Sequence, residues 1–141
     1  VGVMRNGQLE QIAAPAELYD RPGTSFVAEF VGLTNPMRGK VSAGSIEILG
    51  GHLDVLPGSI TSGTGIALVR PESIRVESNP AGTATIFSAS FLGASCRLMI
   101  TLKDGTRITA QMPSSESIGL IAGASVHVSA LNMPVFVKAA E

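Results

Sequence analysis

Residues 96–112 read CRLMITLKDGTRITAQM, and their alternation decides the fold class. Cys96, Leu98, Ile100 and Leu102 alternate with Arg97, Met99, Thr101 and Lys103, the period of two that sends successive side chains to opposite faces of a strand. Asp104-Gly105 supplies a tight turn, after which Ile108, Ala110 and Met112 alternate with Arg107, Thr109 and Gln111. This spacing predicts an antiparallel hairpin with one core face and one wet face. Cys96 falls on the apolar face, the place of a small core residue rather than a reactive thiol.

Short strands continue on both sides. Downstream, residues 119–124 make a loop approach to a strand over 125–129, Pro134 interrupts, and Val135-Phe136-Val137 ends the fold. Upstream, the same parity places Phe87 and Phe91 on one face of a strand over 83–91, as core candidates, behind a turn at Asn79-Pro80-Ala81-Gly82. Ile66-Ala67-Leu68-Val69 is a compact apolar run ended by Arg70-Pro71-Glu72, and residues 73–76 resume extended structure. Earlier strands flank turns expected at Ala43-Gly44 and Gly50-Gly51, and Pro57-Gly58 closes the last of them. The passage from 66 to 76, strand then proline-bearing break then strand, is echoed weakly from 125 to 137. Many short strands with Gly/Pro turns indicate a small barrel or a sandwich, and periodicity alone does not choose between them.

Residues 1–32, VGVMRNGQLEQIAAPAELYDRPGTSFVAEFVG, differ in kind. Asn6-Gly7 suits a two-residue hairpin turn, Pro15 opens a helix of little more than one turn, and Thr24 or Ser25 can cap a second helix in which Phe26/Phe30 and Val27/Val31 pair at i,i+4 before Gly32. Helices under about 12 residues are marginal in water, so this stretch needs a larger body to pack on. Leu33-Thr34-Asn35-Pro36 then reads as a turn and a domain boundary.

Val3-Met4-Arg5-Asn6-Gly7-Gln8-Leu9-Glu10-Gln11-Ile12, Pro15-Ala16-Glu17-Leu18-Tyr19, Arg21-Pro22 and Phe26-Val27-Ala28-Glu29-Phe30-Val31-Gly32 resemble the end of the nucleotide-binding domain of ABC importer ATPases, in the branch of the maltose, spermidine/putrescine and ferric-iron import ATPases. Asn35 and the Arg70-Pro71-Glu72 triplet fit the same pattern. Ala13-Ala14 depart from it, which removes a hydroxyl cap from the first helix at a cost of about 1 kcal/mol. The resemblance implies a mainly β fold: a small OB-like β-barrel, the TOBE regulatory domain, over residues 34–141, preceded in residues 1–33 by a short β-hairpin and two short helices that edge the ATPase domain. It implies a second ATPase subunit as homodimer partner, membrane permease subunits reached through the upstream domain, and a cytoplasmic place peripheral to the cell membrane. ATP and Mg belong to the full-length parent. Between Phe91-Leu92-Gly93-Ala94 and Asp104-Gly105 the likeness leans toward the polyamine and iron branch over the sugar branch.

Composition narrows the classes. A hydrophobic fraction of 45% with 15% charged residues describes a folded chain with sticky faces. A net charge of −1, no Trp and one Tyr give neither the basic patch nor the stacking platform of a nucleic-acid binder. One cysteine forms no internal disulfide, apolar runs fall short of a bilayer span, and a first residue that is Val rather than Met suits a piece of a longer chain. No G-x-x-x-x-G-K-[ST] loop occurs, so ATP hydrolysis and cofactors are not expected of these residues.

Interaction is the expected work. Phe26 and Phe30 are candidates for packing on a partner. Asn35, Arg70, Pro71 and Glu72 are candidates for an interdomain or regulatory contact, with Arg70-Pro71-Glu72 equally readable as a strand terminator with a local ion pair. The alternative function is a self-contained barrel that binds a small oxyanion, for which Ser114, Ser115 and Ser117 offer hydroxyls while Glu116 opposes. His52 with Asp54, and His127, lack companions at metal-ligand spacing and read as structural or surface residues.

Overall fold

Each hairpin in the first part of the chain turns on two residues with positive φ: Asn6 and Gly7 at 49° and 76°, Ala43 and Gly44 at 51° and 76°, and Leu49 and Gly50 at 49° and 75°. This is the geometry whose twist matches that of paired strands. The third turn lies one residue before the expected Gly50-Gly51. Register explains the shift, because buried Ile46 pairs with buried Leu53, which brings Ile48 opposite Gly51 and leaves Leu49 and Gly50 to turn.

The computed structural model describes residues 1–140. In chain order the elements are β1 (Gly2–Arg5), β2 (Gln8–Ile12), α1 (Pro15–Asp20), α2 (Ser25–Val31), β3 (Asn35–Ser42), β4 (Ser45–Ile48), β5 (Gly51–Asp54), β6 (Gly63–Val69), β7 (Ile74–Ser78), β8 (Ala84–Phe91), β9 (Ser95–Thr101), β10 (Arg107–Pro113), β11 (Ser125–Ala130) and β12 (Val137–Ala139). Residues 1–69 and 132–140 form one compact unit and residues 70–131 a second.

In the first unit the strand order is β12-β6-β3-β4-β5. Its two edges meet: Val55 forms a parallel bridge with Val135, Leu56 N–H donates to Val135 O at 2.8 Å, and Val135 N–H donates to Asp54 O at 2.9 Å. The sheet thereby closes into an OB-like barrel. Asn35 and Pro36 do not form the expected turn; they open β3 opposite Val69 and Leu68. Because β4 pairs with β3 only at Val41 and Ser42, Pro36 lies where β3 carries a ladder on one side, the setting in which a missing N–H is tolerated. The β1–β2 hairpin and the two helices belong to this unit as well, and Val3, Leu18 and Val27 form their own small core.

The second unit has the order β10-β9-β8-β11-β7. Cys96, Leu98 and Ile100 lie opposite Met112, Ala110 and Ile108 as the alternation requires, and Cys96, Leu98, Ile100, Ala110 and Ile108 are all buried. Phe87 and Phe91 are not in the core: they are 52% and 73% exposed. Ala84 and Ile86 hold the inward positions of β8, and a bulge between Ile86 and Ser88 sets Phe87 outside the ladder. There the Arg107 guanidinium covers its ring at 3.9 Å. Phe91 pairs with Cys96 at the end of the β8–β9 hairpin.

Two consequences can be measured. Gly39 and Gly65 face each other across β3 and β6; a Cβ at Gly39 would strike the backbone carbonyl of Glu47, and one at Gly65 would strike Val137 and, at 2.9 Å, the end of Ile60. Gly39→Ala is therefore expected to destabilise the chain by about 1–3 kcal/mol, more than Gly65→Ala, whose obstacles are side chains; urea unfolding midpoints would show the order. At the β9–β10 turn, the Thr106 backbone N–H donates to Asp104 Oδ1 at 2.9 Å. That bond, joined by the Thr106 hydroxyl, holds the carboxyl below its ordinary value of 3.8. A folded-state value below the unfolded one contributes stability that is present above the unfolded value and is lost as pH falls through the folded one. An NMR titration of the Asp104 carboxyl is expected to give a midpoint below 3.8.

Candidate functional site

Helix α2 carries the first candidate surface. Thr24 is its N-cap, accepting from Val27 N–H at 3.2 Å. Ala14, at the start of α1, offers no side-chain cap, and α1 is held instead by Leu18, which is fully buried beside Val3 and Val27. Two adjacent residues of α2 serve two cores, since Val27 packs with Val3 and Leu18 while Ala28 packs with Leu56, Leu68 and Phe136 of the barrel. Burying each large side chain of this kind is worth about 1.5–3 kcal/mol, which orders helices too short to stand alone.

On the outer side of α2 the rings of Phe26 and Phe30 sit 5.6 Å apart at 30°. Phe26 is half-buried against the Val3–Leu18–Val27 cluster, whereas Phe30 is 65% exposed. The Arg5 guanidinium lies 5.0 Å from the Phe26 ring centre, and Glu29 on the same helix bonds Lys138 Nζ at 3.2 Å. Arg5, Ser25, Phe26, Glu29 and Phe30 together line an open depression of 410 Å³. An aromatic floor between a cation and a carboxylate can seat an apolar side chain with a polar neighbour. Spacing exposed the two phenylalanines, but Arg5 and Glu29 enter through tertiary contacts that leave no periodic signal.

The Arg70-Pro71-Glu72 triplet stands where the chain leaves the first unit for the second. Pro71 is buried and begins a 3-10 turn over Pro71–Ser73, closed by Ser73 N–H donating to Arg70 O at 3.0 Å. Asn35 is buried, 5% exposed, and pairs with Val69, the residue before Arg70. The structure therefore brings Asn35 to the end of the strand that the triplet terminates, while Phe26 and Phe30 belong to the other surface. Glu72 also lines a groove of 610 Å³ in the second unit between β7 and the end of β10.

The remaining polar candidates are used by the fold. Ser114 Oγ donates to Gly93 O and Ser117 Oγ donates to Ser114 O, each at 2.8 Å, so these hydroxyls do not converge on an anion. His52 Nε2 is 3.6 Å from Glu47 Oε2 on an open face. Cys96 is a buried free thiol. Among the described residues no group of three His, Cys, Asp or Glu could hold a metal ion, and no helix is long and apolar enough to cross a membrane.

The closed five-stranded barrel, with a second five-stranded unit inserted before its last strand, defines a mainly β, OB-like module whose surfaces are suited to contact. Residues 67–133 match the TOBE domain family. Over 92% of its length the chain is 34% identical to the spermidine/putrescine import ATP-binding protein of Rubrobacter xylanophilus, of which it spans 38%. It is 30% identical over 96% of its length to the sulfate/thiosulfate import ATP-binding protein of Xanthomonas campestris pv. campestris, spanning 39%. Over 91% it is 26% identical to the Fe(3+) ions import ATP-binding protein of Fusobacterium nucleatum subsp. nucleatum, spanning 36%. Among solved structures, the molybdate-bound crystal form of the cytoplasmic molybdate-binding protein ModG shares the fold, with a TM-score of 0.60 and 16% identity over 77% of this chain and 98% of that one. The chain thus contains a TOBE domain and is homologous to the C-terminal portions of ABC importer ATP-binding subunits. It spans well under half the length of these relatives.

Asn35 is the buried amide of the site, and it interacts with another group of the fold. Asn35→Ala is expected to cost about 1–3 kcal/mol by stranding its partner, lowering the thermal midpoint measured by circular dichroism.

Proposed function

We propose that this chain is the C-terminal regulatory and dimerisation region of the ATP-binding subunit of an ABC-type importer. In this reading residues 1–33 are the edge of the nucleotide-binding domain and residues 34–141 the regulatory domain. The observation that carries it is the reach of the homology: the relatives match over 92% and 96% of the chain, not over the TOBE segment alone, so the hairpin and helices before the barrel belong to the same kind of protein. The exposed ring of Phe30 beside half-buried Phe26 supports it, because an upstream domain docked on α2 would cover that apolar ground.

The region itself works by contact. ATP and Mg would bind the upstream domain, a second ATPase subunit would complete a homodimer, and the permease subunits would be reached through the upstream domain at the cytoplasmic side of the membrane. The regulatory units would hold the dimer together while the motor domains open and close, and a small effector could act on them. Polyamine, sulfate and iron import proteins all resemble this region to a similar degree. The polyamine or iron type suggested by the residues around Phe91 therefore gains no advantage over sulfate, and solute choice is assigned to the other subunits.

A free-standing oxyanion-binding barrel is the second reading, favoured by the fold shared with a molybdate-binding protein. Mass measurement of the native polypeptide, with peptide mapping upstream of Val1, separates the two. A much longer chain containing a Walker A lysine and a signature motif is the expected result. A native chain that begins near Val1 and takes up molybdate in a calorimetric titration would overturn the transport reading.

A further inference from the structure

Of the hairpins that turn on paired positive φ, only the first sets an asparagine ahead of its glycine, with Asn6 at 49° and Gly7 at 76°. The ladder closes at Arg5 opposite Gln8, so the Gly7 N–H lies outside it. Both turn residues are exposed. A Cβ at Gly7 would meet nothing within 4 Å, and without one the approach to its nitrogen is unhindered. Among the described residues no hydrogen bond fixes the Asn6 carboxamide. An electrophilic side-chain carbonyl and an open backbone nitrogen therefore stand one residue apart, with nothing holding either.

The other asparagines each lack part of this arrangement. Asn35 and Asn79 precede Pro36 and Pro80, whose nitrogens carry no hydrogen to lose. Asn35 is also buried, and Asn79 Oδ1 accepts from Ala81 N–H at 2.9 Å. Asn132 is exposed, but the residue after it is Met133, whose side chain crowds the nitrogen. Asp104-Gly105 repeats the spacing, yet Thr106 N–H holds Asp104 Oδ1 at 2.9 Å, and an ionised carboxylate is a poorer electrophile than an amide.

We propose that Asn6 is a self-modification site, at which the turn converts asparagine into a mixture of aspartate and isoaspartate. The Gly7 backbone nitrogen loses its proton to solvent and attacks Asn6 Cγ. A C–N bond forms and closes a succinimide ring, while the side-chain nitrogen takes up a proton and leaves as ammonia. Water then opens the ring at either carbonyl. Breaking the new bond restores the main chain with aspartate at position 6, whereas breaking the original peptide bond leaves the chain running through Cβ and Cγ as isoaspartate. Aspartate adds a carboxylate next to Arg5, whose guanidinium is 4.0 Å from Glu10 and 5.0 Å from the Phe26 ring centre. Isoaspartate adds an atom to the main chain of the turn and disturbs the pairing of Arg5 with Gln8 and of Met4 with Leu9. Both products act on the depression that Arg5 and Phe26 line, so the charge of that surface changes with the age of the molecule.

The test is incubation of the folded chain at mildly alkaline pH, with samples digested by pepsin in acid and mapped by mass spectrometry. The peptide bearing Asn6 is expected to gain about 1 Da and to split into two forms, of which only the isoaspartyl form accepts a methyl group from an isoaspartate methyltransferase. Conversion should quicken as pH rises, because the nitrogen must lose its proton, and should outpace Asn132 by about tenfold or more. Gly7→Ala, checked for folding by circular dichroism, is expected to slow it. In 15N spectra, Asn6→Asp should shift the Arg5 side-chain resonance in the direction seen in the aged chain. The proposal is overturned if Asn6 keeps its mass while Asn132 converts, if conversion occurs in urea but not in the folded chain, or if aspartate forms without isoaspartate, since direct hydrolysis needs no Gly7 nitrogen. Arg5 and Phe26 resonances unmoved in both the aged chain and Asn6→Asp would overturn the link to the α2 surface.

Discussion

Two backbone hydrogen bonds hold the first barrel shut, from Leu56 N–H to Val135 O and from Val135 N–H to Asp54 O. The segment they capture is clasped further by Leu68 N–H donating to Phe136 O and by Val137 N–H donating to Ser59 Oγ, each at 3.0 Å. Clasping fixes Phe136 inward, where it joins Leu56 and Leu68 to make the surface on which Ala28 rests. Helix α2 has seven residues, too few to persist without that support, and its other face carries Val27 into the core of the hairpin and α1. Order thus passes from a long-range pairing to a helix and from the helix to the hairpin. The strand that completes the barrel enters the chain only after the whole second unit, so closure is a non-local step whose loop entropy must be met before the contacts form.

This dependence separates what is legible in the sequence from what is not. Asn6-Gly7, Ala43-Gly44 and Asp104-Gly105 are local instructions: residues that accept positive φ between alternating strands specify where the chain reverses. Thr24 and the i,i+4 pairs of α2 are local too, and the buried face of Cys96, Leu98 and Ile100 follows from parity. Parity set Phe87 and Phe91 on one face of β8 but not which face is inward, and Ala84 and Ile86 take the inward positions, which leaves Phe87 outside. Pro36 reads as a breaker unless it is known that β4 leaves that end of β3 uncovered. The turn at Leu49 was displaced by the pairing of Ile46 with Leu53, a core contact that outranks the preference for glycine at both turn positions. At the candidate site the aromatic pair was visible, whereas Arg5 over Phe26 and the groove between β7 and the end of β10 are products of tertiary placement. Resemblance to a family supplied the OB-like barrel that periodicity alone did not choose over a sandwich.

The triplet at residues 70–72 shows how one local device serves two ends. Proline fixes φ and lacks an N–H, so it ends the ladder of β6 and begins a 3-10 turn without leaving a donor stranded. The same turn brings Ile74 into register on β7, where its N–H is already satisfied by Pro71 O. A strand terminator and a wall of the second unit's groove are therefore one structure. The backbone path at this point is a sufficient physical reason for Pro71 to stand there.

In the second unit no ladder joins the sheet edges β7 and β10 among the described residues, and the side chains there show how an unpaired edge can persist without becoming indiscriminate. A bare, flat, apolar edge recruits any extended chain. Here Pro113 removes a donor from the end of β10, and the exposed Arg75–Glu77 pair places charge along β7. Both devices raise the cost of pairing with an arbitrary strand, the first by limiting register and the second by requiring charge to be matched as it is covered. The groove behind them mixes Ile74, Val76, Met112 and Leu131 with Glu72, Arg75, Glu77 and Glu116, so a chain that covers it gains burial only as it matches charge.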